Sequence, residues 1–277
     1  MYRALSGGAI RIRATFSETV NLAKKYGFAG VEVNLREVAE IGAEKAKAML
    51  EQAGLRGAGC GLPVNYKEDE AAYKKDMAEF SSLADIAASI GCTRINTYIW
   101  PCSETLTFKE NFRLHVRRLA PVAEILADRD CRLGLEFLGP RSIRKGARYD
   151  FIYNMDAMLG LCAALGTDNT GLLLDCWHWQ MAGHSVADLL KLQDSDIVYV
   201  HVNDAPVGLS SDEVVDTVRH LPGETGVIEI AGFMGALERV GYSGPVVVEP
   251  FSERLKTLTP DQAVKETAAS LAKIWKW

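Results

Sequence analysis

The chain has no Cys-x-x-Cys pair, no run of about 18 apolar residues and no low-complexity tract. Its six cysteines (Cys60, Cys92, Cys102, Cys131, Cys162 and Cys176) are scattered, several in apolar stretches where a thiol packs as a small hydrophobe. That usage indicates reduced thiols and a cytoplasmic protein. The N-terminal segment lacks the apolar region of a signal peptide, and the missing spanning run argues against a membrane partner. Basic charge is not in excess either. Lys and Arg number 31 against 36 Asp and Glu, a net charge of −5, so no field gathers nucleic acid. A glycine-rich phosphate loop after the first strand is also missing, since Ser6-Gly7-Gly8 is too short and badly placed for one.

What the 277 residues do contain is a strict alternation, with 48% hydrophobic content, enough to bury a core. Short apolar, β-rich runs occupy residues 4–10, 30–35, 55–64, 93–100, 132–138, 171–178, 197–203 and 245–250. Amphipathic helical patterns fall between them at 17–27, 43–53, 70–90, 109–127, 155–165, from 186, at 230–240 and at 261–275. Eight strand–helix units imply parallel strands joined by crossovers, and eight is the number that closes a barrel. The expected architecture is α/β, a single (β/α)8 TIM barrel spanning residues 1–277. Two connections, 139–154 and 204–228, are longer than a barrel requires. Both follow strands and so lie on the C-terminal face, where barrel enzymes work.

Strands five to eight end in Glu136, Asp175, His201 and Glu249, one apiece. An unpaired charge after an apolar run is costly to bury. A single acidic strand end is ordinarily a cap or an ion-pair partner. Four on successive strands converge above the barrel, where three carboxylates repel one another unless a cation sits among them. Oxygen and nitrogen donors together suit one divalent ion, with Mn²⁺ favoured among Mn²⁺, Co²⁺, Mg²⁺, Fe²⁺ and Zn²⁺.

Other residues near these ends carry two readings each. His178, at the expected strand-to-loop exit, either orients a ligand or contacts substrate. Trp177, Trp179, Tyr98 and Trp100 stack on a sugar ring or pack. Arg219 offers a planar donor fork to a substrate oxygen or anchors its loop. The basic cluster Arg141, Arg144, Lys145 and Arg148 fits a solvated surface better than a phosphate-reading lid. Glu224 and Glu229 suit a turn and a helix start, and His115 and His184 lack supporting context.

The segments Leu-Glu136-Phe, Leu-Leu-Leu-Asp175-Cys-Trp-His178, Val-His201-Val-Asn-Asp204, Arg219-His220 with the following Pro-Gly-Glu, and Val-Val-Glu249-Pro resemble a known family. It is the xylose-isomerase-like sugar phosphate isomerases/epimerases, which include ketose 3-epimerases, hydroxypyruvate isomerase, inosose dehydratase and metal-dependent AP endonucleases. The resemblance implies Glu136, Asp175, His201 and Glu249 as metal ligands, with Glu136 and Glu249 also moving protons. It implies His178 and Arg219 as contacts to substrate oxygens. The implied activity is a divalent-metal-dependent isomerase or epimerase of a free or phosphorylated sugar, working by proton abstraction next to a carbonyl through an enediolate held by the cation. A lyase or dehydratase acting on a keto-sugar, a keto-inositol or an oxidised glycoside is the alternative, followed by a non-catalytic carbohydrate-binding subunit. The endonuclease branch is disfavoured: it needs histidines on earlier strands and an Asp-Arg-His triplet, where this chain reads Val218-Arg219-His220. A small sugar-like partner is expected, and a homo-oligomer is a family-level expectation.

Overall fold

The computed structural model describes residues 1–275, so the last two positions of the expected 1–277 domain lie outside the described residues. Eight strands form the barrel: β1 (Tyr2–Leu5), β2 (Gly30–Glu32), β3 (Arg56–Gly61), β4 (Arg94–Ile99), β5 (Arg132–Phe137), β6 (Thr170–Asp175), β7 (Ile197–Val202) and β8 (Pro245–Val248). Every neighbouring pair is parallel, and β8 pairs with β1 to close the ring. The expected barrel is therefore the observed one. No helix among the described residues is long and apolar enough to cross a membrane.

Local chemistry sets the boundaries. Thr15 with Glu18, and Thr107 with Glu110, form capping boxes that start the helices Phe16–Lys25 and Phe108–Ala127. Three details depart from the sequence pattern. The first strand occupies residues 2–5 rather than 4–10, because Ser6 turns the chain: its Oγ accepts the Ala9 N–H at 3.1 Å. A short helix, Leu35–Ile41, follows β2 because Asn34 caps it, accepting from the Arg36 and Glu37 N–H groups. The sixth apolar run stops as a strand at Asp175, and Cys176–Met181 is helix, so His178 stands on a helix and not at a strand exit. A small antiparallel pair, Cys102–Ser103 with Tyr149–Asp150, also ties the exits of β4 and β5 together.

Apolar side chains between the strands and the helices form one large cluster, and a smaller one fills the barrel interior: Ala4, Ala58, Leu173, Tyr199 and Val247. The small alanines from β1 and β3 leave room for the Tyr199 ring from β7. Gly59 belongs to the same accommodation. A Cβ there would stand 2.5 Å from Tyr199 Cε2 and 2.8 Å from the Arg94 carbonyl oxygen. Both neighbours are fixed, one in the barrel core and one in a strand backbone. Gly59→Ala is expected to cost about 1–3 kcal/mol through overpacking. The readout is a lower midpoint of urea unfolding at unchanged slope. An unaltered midpoint would mean that the tyrosine ring moves aside without penalty.

Candidate metal centre

The pleat of parallel strands directs Glu136, Asp175 and His201 to one place. Asp175 and His201 are register partners on β6 and β7, and Glu249, just past β8, donates its N–H to Val202 O at 3.0 Å. One donor atom from each of Glu136, Asp175, His201 and Glu249 lies within 4.8 Å of the others. His201 Nδ1 is 3.3 Å from Glu249 Oε2, 3.6 Å from Glu136 Oε1 and 4.0 Å from Asp175 Oδ2. Two of these atoms, His201 Nδ1 and Glu136 Oε1, are buried with no hydrogen-bond partner. Such orphans cost about 1–3 kcal/mol each unless something satisfies them. A divalent cation among the four would satisfy both, and the donor set of three carboxylates and one imidazole suits such an ion.

The anionic cluster already holds one cation of its own. Arg219 is buried; its Nη1 donates to Asp175 Oδ2 at 2.8 Å and to Glu249 Oε2 at 3.1 Å, and its Nη2 donates to Asp216 Oδ1 at 3.0 Å. Its guanidinium lies 5.1 Å from the Trp177 ring and 4.8 Å from the Phe251 ring. Burial alone would lower its pKa, but Asp175, Asp216 and Glu249 reverse that and raise it. Burial likewise works to raise Asp175, and Arg219, His178 and His201 outweigh it, holding that carboxyl below its ordinary value. Burial dominates at Glu136, whose carboxyl is raised, and His201 is raised well above its ordinary value because Glu249 and Glu136 overcome its burial.

His178 is buried beside Arg219. Its Nδ1 accepts the Gly139 N–H at 3.2 Å, and its Nε2 stands 3.2 Å from Arg219 Nη2, with Glu136 Oε1 and Asp216 Oδ1 farther off at 3.9 and 3.8 Å. Gly139 is a glycine by necessity, since a Cβ would collide with the His178 carbonyl oxygen. Trp177 stands differently from the substrate contact expected of it. It is fully buried and underlies Arg219, with no face on the mouth. Trp100 and Tyr98 are 47% and 45% exposed at the end of β4, with Lys67 Nζ lying 3.1 Å from the Tyr98 ring centroid. His115 packs between Tyr66 and Phe151, and His184 accepts the Met155 N–H; neither belongs to the cluster.

Three further residues support the centre without having been singled out from sequence. Asn203 donates to both oxygens of Asp175, at 3.0 and 3.2 Å. Glu32, at the end of β2, accepts from the Tyr199 hydroxyl at 3.3 Å, and burial raises its carboxyl above the ordinary value. It lies inside the second apolar run, residues 30–35, and only the early end of the strand at Glu32 places it at the barrel mouth. Asp204 accepts five backbone N–H groups: Ala205, Val227 and Ile228 on Oδ1, Thr225 and Gly226 on Oδ2. Together with its backbone bridge to His220, it pins the loop that carries Arg219. Ser142 and Ser211 then tie this loop to the exit of β5.

A family model described as "Xylose isomerase-like TIM barrel" matches residues 20–274. The chain belongs to that family. An inosose isomerase of Halalkalibacterium halodurans is 30% identical over 203 residues, covering 71% of this chain and 67% of the relative. A ketose 3-epimerase of Arthrobacter globiformis is 25% identical over 249 residues, covering 88% and 79%. Among solved structures, a xylose isomerase domain protein from Alicyclobacillus acidocaldarius superposes with a TM-score of 0.88 at 28% identity, covering 99% and 98% of the two chains. An IOLI protein solved with a zinc atom shares the fold, with a TM-score of 0.83 at 18% identity over 99% and 98%. The relatives are sugar isomerases and epimerases, which marks this family member as an enzyme.

Asp204 gives this geometry a test. Burial works to raise its carboxyl, and the N–H groups of Ile228 and Gly226 outweigh that and lower it. Its stabilising contribution is therefore full above the ordinary carboxylate range and is lost as pH falls through the lowered folded value. Asp204→Ala, which strands several buried N–H groups, is expected to cost about 2–4 kcal/mol and to open the loop to limited proteolysis near residues 206–218. Wild-type resistance and stability would show that the serine ties, with Gln180 Nε2 donating to Val227 O at 2.8 Å, hold the loop unaided.

Proposed function

We propose that this protein is a divalent-metal-dependent isomerase or epimerase of a polyhydroxy ketone, with the ion held by Glu136, Asp175, His201 and Glu249. The carrying observation is the cluster of four converging donors with two buried atoms left unsatisfied. The names of the relatives, an inosose isomerase and a ketose 3-epimerase, support a sugar or cyclic polyol ketone as the substrate class. Mn²⁺ is the favoured ion, from the carboxylate majority among the ligands. When bound, the ion polarises the substrate carbonyl and acidifies the adjacent C–H.

The chain's own residues then divide the work. Glu136 and Glu249 flank His201 and are the candidates for removing and returning a proton at carbon. His178 and Arg219, the expected contacts to substrate oxygens, bond to each other and to the carboxylates around them, Arg219 balancing the charge of Asp175, Asp216 and Glu249. Return of the proton to the same carbon from the opposite face, by the other glutamate, inverts it, and return to the neighbouring carbon moves the carbonyl.

Three measurements test this together. Purified protein is expected to bind about one divalent ion per chain by mass spectrometry, and Glu136→Ala/Asp175→Ala to bind none. EDTA is expected to abolish, and Mn²⁺ to restore, exchange of a substrate C–H with D₂O, using inosose and D-fructose as probes. Glu136→Gln and Glu249→Gln are each expected to lower turnover at least about 100-fold with the fold intact. Full exchange by metal-free protein, or by either glutamine variant, would overturn the assignment. Release of water instead of exchange would move the protein to the dehydratases.

A further inference from the structure

A cavity of about 550 Å³ opens at the ends of β1, β2 and β3, across the mouth from the four metal-ligand candidates. Its polar lining includes Ser6, Glu32, Asn34 and Glu37. Glu32 joins it to the metal centre. Its carboxylate accepts from Tyr199, whose ring lies edge-on to His201 at 5.5 Å, and its charge is within reach of His201 and Glu249.

The charges around the mouth favour one kind of ligand. Glu37 is occupied, accepting the Phe16 N–H at 2.7 Å, and Asn34 is occupied as a helix cap. Arg36, the base in the lining, already donates to Glu79 at 3.2 Å. Glu32 faces the cavity with the Tyr199 hydroxyl at 3.3 Å and the Ser6 hydroxyl beside it, and its two carboxylate oxygens retain acceptor capacity. Three of the four bases on the β5 loop lie against groups of their own. Arg141 pairs with Asp212, Arg144 lies over Tyr153 at 3.8 Å, and Arg148 over Tyr149 at 5.1 Å. A phosphate in the cavity would meet two acidic side chains and a guanidinium already bound, whereas a hydroxyl would meet an acceptor.

Resting on the metal-dependent reading above, we infer that this cavity holds the end of the substrate remote from the ion and that Glu32 selects neutral polyhydroxy ketones over sugar phosphates. Glu32 is a specificity-determining contact, accepting a hydroxyl proton of the substrate. Gly61 borders the same space, and a Cβ there meets nothing within 4 Å, so a larger side chain enters the cavity without disturbing the barrel.

The test uses Mn²⁺-loaded wild type, Glu32→Gln and Gly61→Leu. Deuterium exchange is measured with D-fructose and D-fructose 6-phosphate, and inosose binding is measured by calorimetry. Wild type is expected to prefer D-fructose by at least about tenfold in kcat/KM, because a site built for a hydroxyl rejects a misplaced charge. Glu32→Gln is expected to raise KM for D-fructose about tenfold, with kcat within about threefold, and to narrow the preference. Gly61→Leu is expected to weaken inosose binding about tenfold at unchanged metal content. A wild-type preference for the phosphate ester overturns the inference, as does a KM in Glu32→Gln equal to that of wild type. Absence of exchange in wild type with both sugars refutes the isomerase reading alone. Calorimetry then decides the subsite: inosose binding weakened in both variants sustains it, and equal or absent binding in all three proteins overturns it.

Discussion

Like charge gathered in a small buried volume is the constraint on which this molecule is organised. Glu136, Asp175 and Glu249 share one end of the barrel with Asp216 close by. Two like charges 4 Å apart repel by about 4 kcal/mol at an effective dielectric of about 20, so three or four cannot coexist uncompensated. Arg219 supplies part of the compensation by bonding Asp175, Glu249 and Asp216 together. Its placement in turn explains much of the surrounding architecture: Trp177 and Phe251 flank its guanidinium, and Asp204 fixes the loop that delivers it. Arg219 leaves Glu136 Oε1 and His201 Nδ1 without partners, and these are the atoms at which a further cation has most to gain.

The barrel interior serves the same centre from below. Tyr199 and His201 are two residues apart on β7 and so project to the same side of the strand. The tyrosine fills the space left by Ala4, Ala58 and Gly59 and ends on Glu32. A floor of this kind excludes water from beneath the four donors and sets their height above the core. It also connects the donor-bearing strands with the opposite wall, where the cavity lies. The first four strands thus shape the space over the site while the last four supply its charged donors, the division expected when a barrel's chemistry is carried by several strand ends.

The fold was legible because alternation is a long-range property: eight short apolar runs separated by amphipathic segments survive errors of a few residues at each boundary. The four donors were legible for a related reason, since each is a charged residue at the end of an otherwise apolar strand. Less legible was anything that depends on what a side chain meets. The indole of Trp177 reads in sequence as an aromatic near a mouth, and only packing shows that it lies beneath a guanidinium. Asp204 reads as one more polar residue at a strand exit, yet four of its five N–H partners lie 21 to 24 positions away. Glu32 sits inside the apolar run 30–35, and its partner Tyr199 lies 167 positions along the chain.

The spacing of Asp175 and His178 shows how a local boundary carries chemical consequence. In a continuing strand, residues three apart project to opposite faces, and His178 would point away from the carboxylate. The strand instead stops at Asp175, whose Oδ1 accepts the Trp177 N–H at 2.7 Å and starts a helix with no intervening loop. Residues three apart on a helical turn share a face, so His178 returns beside the carboxylate that initiated the turn. Gly139 on the neighbouring strand exit then fixes the imidazole through Nδ1 and sets Nε2 against the Arg219 guanidinium. Asp175 thereby caps a helix, binds Arg219 and Asn203, and stands within the donor cluster. A residue bound on so many sides has little rotational freedom, and a donor with little freedom loses little entropy when a cation or substrate arrives.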